Sequence, residues 1–318
     1  MNISGRNTPQ RRIDALLVLA AILVSVTGCA TIPRERAADW TVLLPAGCAA
    51  YFSLNLSPDT REVVEAVLGR VVSPGFDSNT ALERTDRIYG ALKVSPEDGA
   101  ALYAAADGRF PKAALRYALS HSDDWTTVKL AGSGGLPRRR SRSEELWINR
   151  RTPMQVYLTR DGVLLLATED LRSMIDLYRI SARAAVPARL PEVVLQGMDG
   201  SDMLVFFPAL GRSPLLRSFD TSLPAGDAWI EFVRDEAGYA LQGHFVLLDG
   251  VSGRRFTNLL KLLLLYVLKG SEIEGYTKRL MKLEFLQEGD LLRVSGLTLS
   301  ADELMRVIAK TLAGTEIR

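Results

Sequence analysis

The two halves of the chain contain the same structural signals in the same order, and this repetition restricts the fold more than any other feature. Residues 51–58 read YFSLNLSP and residues 207–214 read FPALGRSP. Both are apolar runs that end in Ser-Pro, where Ser can cap a helix and Pro suits its first turn. Further on, Phe110 in the first half and Phe256 in the second each open a helical run. One structural unit is therefore expected to occur twice.

Turn signals repeat in the same way. Asp98-Gly99 is matched by Ala237-Gly238, and Asp161-Gly162 is matched by Glu288-Gly289. Each lies between two apolar runs, and an acidic residue followed by Gly in that position is a strong hairpin signal. Each half therefore reads strand, helix, hairpin, helix, hairpin, helix.

This order predicts an α+β fold made of two duplicated halves, each a mainly antiparallel sheet with helices packed on one face. The first repeat is expected over residues 41–180 and the second over residues 201–318. Residues 181–200 are rich in Ala, Pro, Gly and Arg, which is typical of a linker between the two.

The first half also resembles exported bacterial envelope proteins of unknown function. They share a strand, a Gly-x-Phe helix start such as Gly108-Arg109-Phe110, a Trp after the helix such as Trp125, and a late hairpin such as Asp161-Gly162. The resemblance implies no particular activity.

The N-terminus has the features of an export signal. Arginines precede an apolar run at residues 15–26, which is too short to span a bilayer, since a transmembrane helix needs about 20 apolar residues. Val26-Thr27-Gly28-Cys29 follows and resembles the lipobox of bacterial lipoproteins. The resemblance implies cleavage between Gly28 and Cys29, removal of the signal peptide 1–28, and lipid on Cys29. Residues 29–40 would then tether the body to the cell membrane or outer membrane, facing the periplasm.

Composition restricts the partners. Removal of residues 1–28, which contain three Arg and one Asp, leaves 36 basic and 36 acidic residues. Nucleic-acid binding depends on basic surface that neutralises phosphates, so no nucleic-acid partner is expected. With Cys29 acylated, Cys48 has no partner for an intramolecular disulfide, and we interpret it as a small buried apolar residue.

The sequence offers little for catalysis or metal binding. His121 and His244 are the only histidines, they lie in different halves, and neither has the spacing of metal ligands. The pairs Asp123-Asp124 and Glu144-Glu145 are expected to be solvated surface, because adjacent residues on a strand or helix point apart. There is no Gly-x-Ser-x-Gly motif. We therefore expect no enzyme and no cofactor.

An arginine-rich segment is one candidate for membrane contact. It contains four arginines in five positions: Arg138, Arg139, Arg140 and Arg142. Either this segment is a solvated loop, or it contacts anionic lipid headgroups, where each basic residue adds about 1 kcal/mol.

The most unusual segment is residues 256–269, which read FTNLLKLLLLYVLK. Residues 262–268 have no polar side, and a helix that is apolar all round must be buried. Burial between the two halves is the first interpretation. The functional alternative is that the helix lines an acyl-chain cavity or docks on the anchoring membrane. The candidate lipid-contacting residues are Leu262, Leu263, Leu264, Leu265 and Tyr266.

Together these features favour a lipid-anchored envelope lipoprotein with a non-enzymatic binding or scaffolding role toward a lipid or an envelope protein. A carrier of lipids or other amphiphiles that uses the apolar helix is the alternative. An envelope hydrolase is a third possibility, for which no nucleophile can be named.

Overall fold

The fold is organised on an antiparallel β-sheet with helices on both faces. The computed structural model describes residues 40–57, 60–61, 84–95, 99–130, 144–151, 153–182, 184, 186–214 and 223–314. The signal peptide, Cys29, nearly all of the tether and the arginines at 138–142 lie outside these residues. The strands are β1 (Ala50–Asn55), β2 (Thr85–Ser95), β3 (Gly99–Gly108), β4 (Trp125–Leu130), β5 (Glu144–Asn149), β6 (Gln155–Leu158), β7 (Leu164–Ala167), β8 (Met203–Phe207), β9 (Ala225–Asp235), β10 (Gly238–Leu247), β11 (Glu284–Glu288) and β12 (Leu291–Leu299).

Six α-helices and two short 3-10 helices lie within the described ranges. They are η1 (Trp40–Leu43), α1 (Lys112–His121), α2 (Arg172–Ser181), α3 (Glu192–Gly200), η2 (Leu210–Arg212), α4 (Gly253–Gly270), α5 (Tyr276–Met281) and α6 (Ala301–Gly314). With the antiparallel sheet, they make the protein a member of the α+β class, as predicted.

The sheet is continuous across both halves. Its strand order is β11-β12-β10-β9-β8-β1-β2-β3-β7-β6-β5-β4. The halves meet where β1 pairs antiparallel with β8, with Tyr51 opposite Phe206. Outward from this central pair, the two halves have matching strand orders: β1-β2-β3-β7-β6 on one side and β8-β9-β10-β12-β11 on the other.

The predicted hairpins are confirmed. Strands β6 and β7 are joined through Gly162 (φ 92°), and β11 and β12 through Gly289 (φ 65°). Glycine is required at both turns because a side chain would be strained at positive φ. Ser57 makes the hydrogen bond expected of a cap, since the Thr60 N–H donates to Ser57 Oγ at 3.3 Å, but nearly all of the helix predicted to follow it lies outside the described residues.

Helices cover both faces of the sheet. The prediction that each half packs its helices on one face is wrong for the first half, where α1 and α2 lie on opposite faces. In the second half, α4, α5 and α6 share one face, as predicted. Side chains alternate between faces along each strand. On β9, Ala228 points toward a buried cluster that includes α4, α5 and α6, whereas Trp229 points toward a cluster that includes η1, α2 and α3. We call these the α4 face and the α2 face. Helix α1 also lies on the α4 face. Its buried residues form a cluster with Ile88 of β2, and Ile88 is directly opposite Leu54 of β1, which packs against the α4 cluster. Residues directly opposite each other on neighbouring strands point to the same face.

The segment predicted to link the halves contains a helix. Residues 181–200 include α3, whose Val194 and Met198 are buried in the α2-face core. The spacing of these two apolar residues is that of one helix face. The segment is therefore part of the packed body.

Candidate functional site

Helix α4 lies over the sheet with one side in the core. Its buried contacts come from Phe256, Leu260 and Leu268. The ring of Phe256 packs on Phe245 of β10, with ring centroids 5.3 Å apart. The helix forms readily because its middle is rich in Leu, which is a strong helix former.

The opposite side of α4 is exposed and apolar. Leu262 is 62% exposed, Tyr266 is 63% exposed and Leu265 is 36% exposed. Leu263 and Leu264 are half-buried against the α4-face core. The interpretation that the whole run is buried between the halves is therefore wrong. The halves meet through β1 and β8 instead, and among the described residues α4 packs on the α4-face core and against α5 and α6.

Basic side chains accompany the exposed leucines. Arg254, Arg255, Lys261 and Lys269 are all exposed. At 3.6 residues per turn, Arg255 lies on the same side as Leu262, and Lys269 follows one turn beyond Leu265. We call the side chains of Arg255, Leu262, Leu265, Tyr266 and Lys269 the α4 patch.

All the charged side chains of α4 are basic. Residues 253–270 contain no Asp or Glu. The ammonium group of Lys261 lies on the flank of the helix, 4.9 Å from the centre of the Phe285 ring of β11. Exposed apolar side chains bracketed by basic ones, with no acid, are typical of helices that lie in the interface of a membrane.

The two histidines are not brought together. His121 is the last residue of α1, and its Nδ1 lies 2.9 Å from the Tyr117 carbonyl oxygen. His244 lies on β10 and points to the α2 face. Within the described ranges, no three His, Cys, Asp or Glu side chains form a group that could hold a metal ion.

The prediction of solvated acids is wrong for Glu144. Its carboxylate is largely buried, 2.8 Å from Arg179 of α2 and 3.1 Å from Arg160. Burial alone would raise the pKa of Glu144, but the hydrogen bond and charge of Arg179 hold it below its usual range. Glu145 points to the other face, toward Arg116 (3.7 Å), as neighbours on a strand should. No sequence pattern indicated a role for Arg179, which reaches Glu144 from a separate element.

Cys48 is buried, as predicted. Its Sγ donates to the Pro45 carbonyl oxygen at 3.4 Å, and burial raises the pKa of the thiol. A raised pKa leaves little thiolate, which is the reactive form. Cys48 therefore serves as packing.

No described helix is long and apolar enough to cross a bilayer.

Comparisons with known proteins give a structural likeness and no sequence relative. No family model matches the chain, and no curated protein matches it. Crystal form III of TP0453 matches with a TM-score of 0.59 and 16% identity, over 86% of this chain and 98% of that one. Crystal form I matches with 0.59 and 14% over the same shares, and form IV with 0.55 and 16% over 85% and 99%. The likeness covers most of the body and shows that this α+β fold occurs in a solved structure.

Proposed function

We propose that this protein is a lipid-anchored envelope lipoprotein with a non-enzymatic role, and that its body contacts the anchoring membrane through the α4 patch. The observation that carries the proposal is the exposure of Leu262 and Tyr266 on a helix without acidic residues. The anchor is supported by the lipobox-like residues ending at Cys29. The protein would face the periplasm from the cell membrane or outer membrane.

The expected contribution of the patch is modest. Burying a Leu completely stabilises by about 1.5 to 3 kcal/mol. Leu262 and Tyr266 are 62% and 63% exposed, so together they would contribute about 2 kcal/mol on entering the interface. Each basic residue near anionic headgroups adds about 1 kcal/mol. Two or more acyl chains already hold a protein stably, so the patch would orient the body on the membrane.

The alternative of an internal lipid carrier is less well supported by the packing of α4. Leu263 and Leu264 point inward and pack against the α4-face core, together with Leu260. The side chains that remain available to a lipid are those on the outside. A carrier would instead need inward-pointing leucines that meet a bound chain.

The proposal includes descent of the two halves from one unit. The matching outward strand order and the equivalent positions of the Gly162 and Gly289 hairpins support it. The last helices of the halves, α2 and α6, pack on opposite faces, so the copies would have diverged in where this helix docks. Residues 41–180 and 201–318 remain the proposed repeats.

Vesicle flotation tests the membrane contact. The chain from Ala30, made without lipid, is mixed with vesicles that contain anionic lipid. The double variant Leu262→Gln with Tyr266→Gln should lower binding about thirtyfold, the equivalent of about 2 kcal/mol. Ile180→Gln is the matched control, because Ile180 is 52% exposed but lies on α2, on the opposite face. Equal binding by all three proteins would contradict the proposal.

The same preparation tests the carrier alternative. Native mass spectrometry of the chain from Ala30 should show no retained lipid if α4 acts from its outer side. Lipid that copurifies with the protein, and is lost when Leu264 is replaced by Ala, would favour the carrier.

A further inference from the structure

His244 is largely buried on the α2 face of the sheet. Its ring stacks flat on Trp229 of β9, with centroids 4.7 Å apart and planes 3° from parallel. Both ring nitrogens are buried, and no described residue gives either of them a hydrogen bond. Nε2 is 3.5 Å from Glu231 Oε1, and that oxygen already accepts the Trp229 Nε1–H at 2.9 Å.

The charged groups around the ring come from both neighbouring strands. Glu231 approaches from β9, and Arg293 of β12 is directly opposite His244 in the ladder. Arg293 in turn pairs with Glu288 of β11 at 3.3 Å. From α3, which packs over β8 and β9, Gly197 approaches Glu231, while Asp199 is held by Arg87 at 2.7 Å.

We propose that His244 is an acid-sensitive switch, whose protonation loosens β10 from its two neighbours. An imidazolium has two N–H donors, and the described surroundings offer one acceptor, Glu231, which is already shared. A buried donor without a partner is costly, more so when it is charged. The Arg293 guanidinium adds repulsion from the neighbouring strand. Protonation therefore favours a state in which the ring reaches water.

The direction of the pH dependence follows from these contacts. Burial lowers the pKa of His244 below its ordinary value; Glu231 partly opposes this and Arg293 adds to it. As the pH falls, the opened form therefore takes up the proton at a higher pH than the closed form does. Stability of the closed form is fully present above the ordinary pKa of histidine and declines as the pH falls through it. Phe245, the next residue on β10, packs on Phe256 of α4. Opening of β10 therefore also weakens the packing of α4 on the sheet.

Hydrogen exchange of the full body between pH 7.5 and 5.5 tests the switch. After correction for intrinsic rates, protection of the β10 amides should fall several-fold relative to the β2 amides. His244→Phe keeps a flat ring on Trp229 but cannot take up a proton, so its β10 protection should not change with pH. His121→Gln removes the only other histidine and should behave as the wild type does. An equal loss of protection in His244→Phe would overturn the proposal.

A second measurement does not depend on whether His244→Phe folds. The imidazole C–H resonances of the wild type are followed by NMR during a pH titration and assigned with His121→Gln. The His244 resonance should titrate below the ordinary pKa of histidine. Titration at or above that value would also overturn the proposal.

Discussion

Three leucines on helix α4 should differ sharply in what their replacement costs. Leu260 is 5% exposed, Leu264 is half-buried and Leu262 is 62% exposed. Leu→Ala in a core removes buried apolar surface and leaves a cavity, which costs about 2 to 5 kcal/mol. Leu260→Ala should therefore cost about 3 kcal/mol and Leu264→Ala about 1 to 2 kcal/mol. Leu262→Ala should stay within about 0.5 kcal/mol of the wild type, as exposed substitutions usually do.

The assay is equilibrium unfolding of the lipid-free body in urea, with the free energy of unfolding taken from each transition. All three changes use the same residue types on the same helix, so differences in helix propensity cancel. The expected order of cost is Leu260, then Leu264, then Leu262. Equal costs at Leu260 and Leu262 would refute the orientation of α4, and with it the α4 patch.

Further outcomes are expected at three positions, two from the structure and one, at Cys29, from the sequence. Glu303 is bound bidentately by Arg279 (2.7 and 2.8 Å) and caps α6 together with Ser300, so Glu303→Ala should cost about 2 kcal/mol in thermal unfolding. Burial would raise the pKa of Glu303, but Arg279 holds that pKa below its usual range. The stability that the ionised carboxylate contributes is therefore fully present above the ordinary pKa of Glu and is lost as the pH falls through the lowered pKa. If Glu303→Gln lost stability with falling pH just as the wild type does, this would be contradicted. Gly162→Ala should cost about 1 kcal/mol or more because φ is 92°, whereas Gly200→Ala, with open space at its Cβ, should be nearly neutral; equal effects in urea unfolding would be inconsistent with the hairpin geometry. Cys29→Ser should leave unprocessed precursor without acyl label in the host bacterium, and a processed, labelled variant would exclude Cys29 as the anchor.

Local features were predictable because they depend on residues close in sequence. The turns at Gly162 and Gly289 follow from an acidic residue and a glycine between apolar runs, and both are present. The burial of Cys48 was also predicted, from its being a small apolar residue without a disulfide partner.

The errors concern features that depend on distant residues. Glu144 was expected to be solvated, and its sequence neighbours give no sign that Arg179 on α2 would cover it. The apolar run in α4 was expected to be buried between the halves because residues 262–268 have no polar side. The sheet became continuous through β1 and β8 instead, which left the Leu262 side without a covering element among the described residues. The run without a polar side, which predicted burial, is therefore the segment that forms the α4 patch.

The central claim is that the exposed side of α4 enters the membrane interface while the rest of the body does not. The most direct test attaches a polarity-sensitive fluorophore to Leu262→Cys in the chain from Ala30, with Ile180→Cys on α2 as the reference position. The native Cys48 is buried and should label poorly. Addition of vesicles that contain anionic lipid should shift the emission at position 262 to the blue and leave that at position 180 unchanged. No shift at position 262, or equal shifts at both positions, would contradict the account.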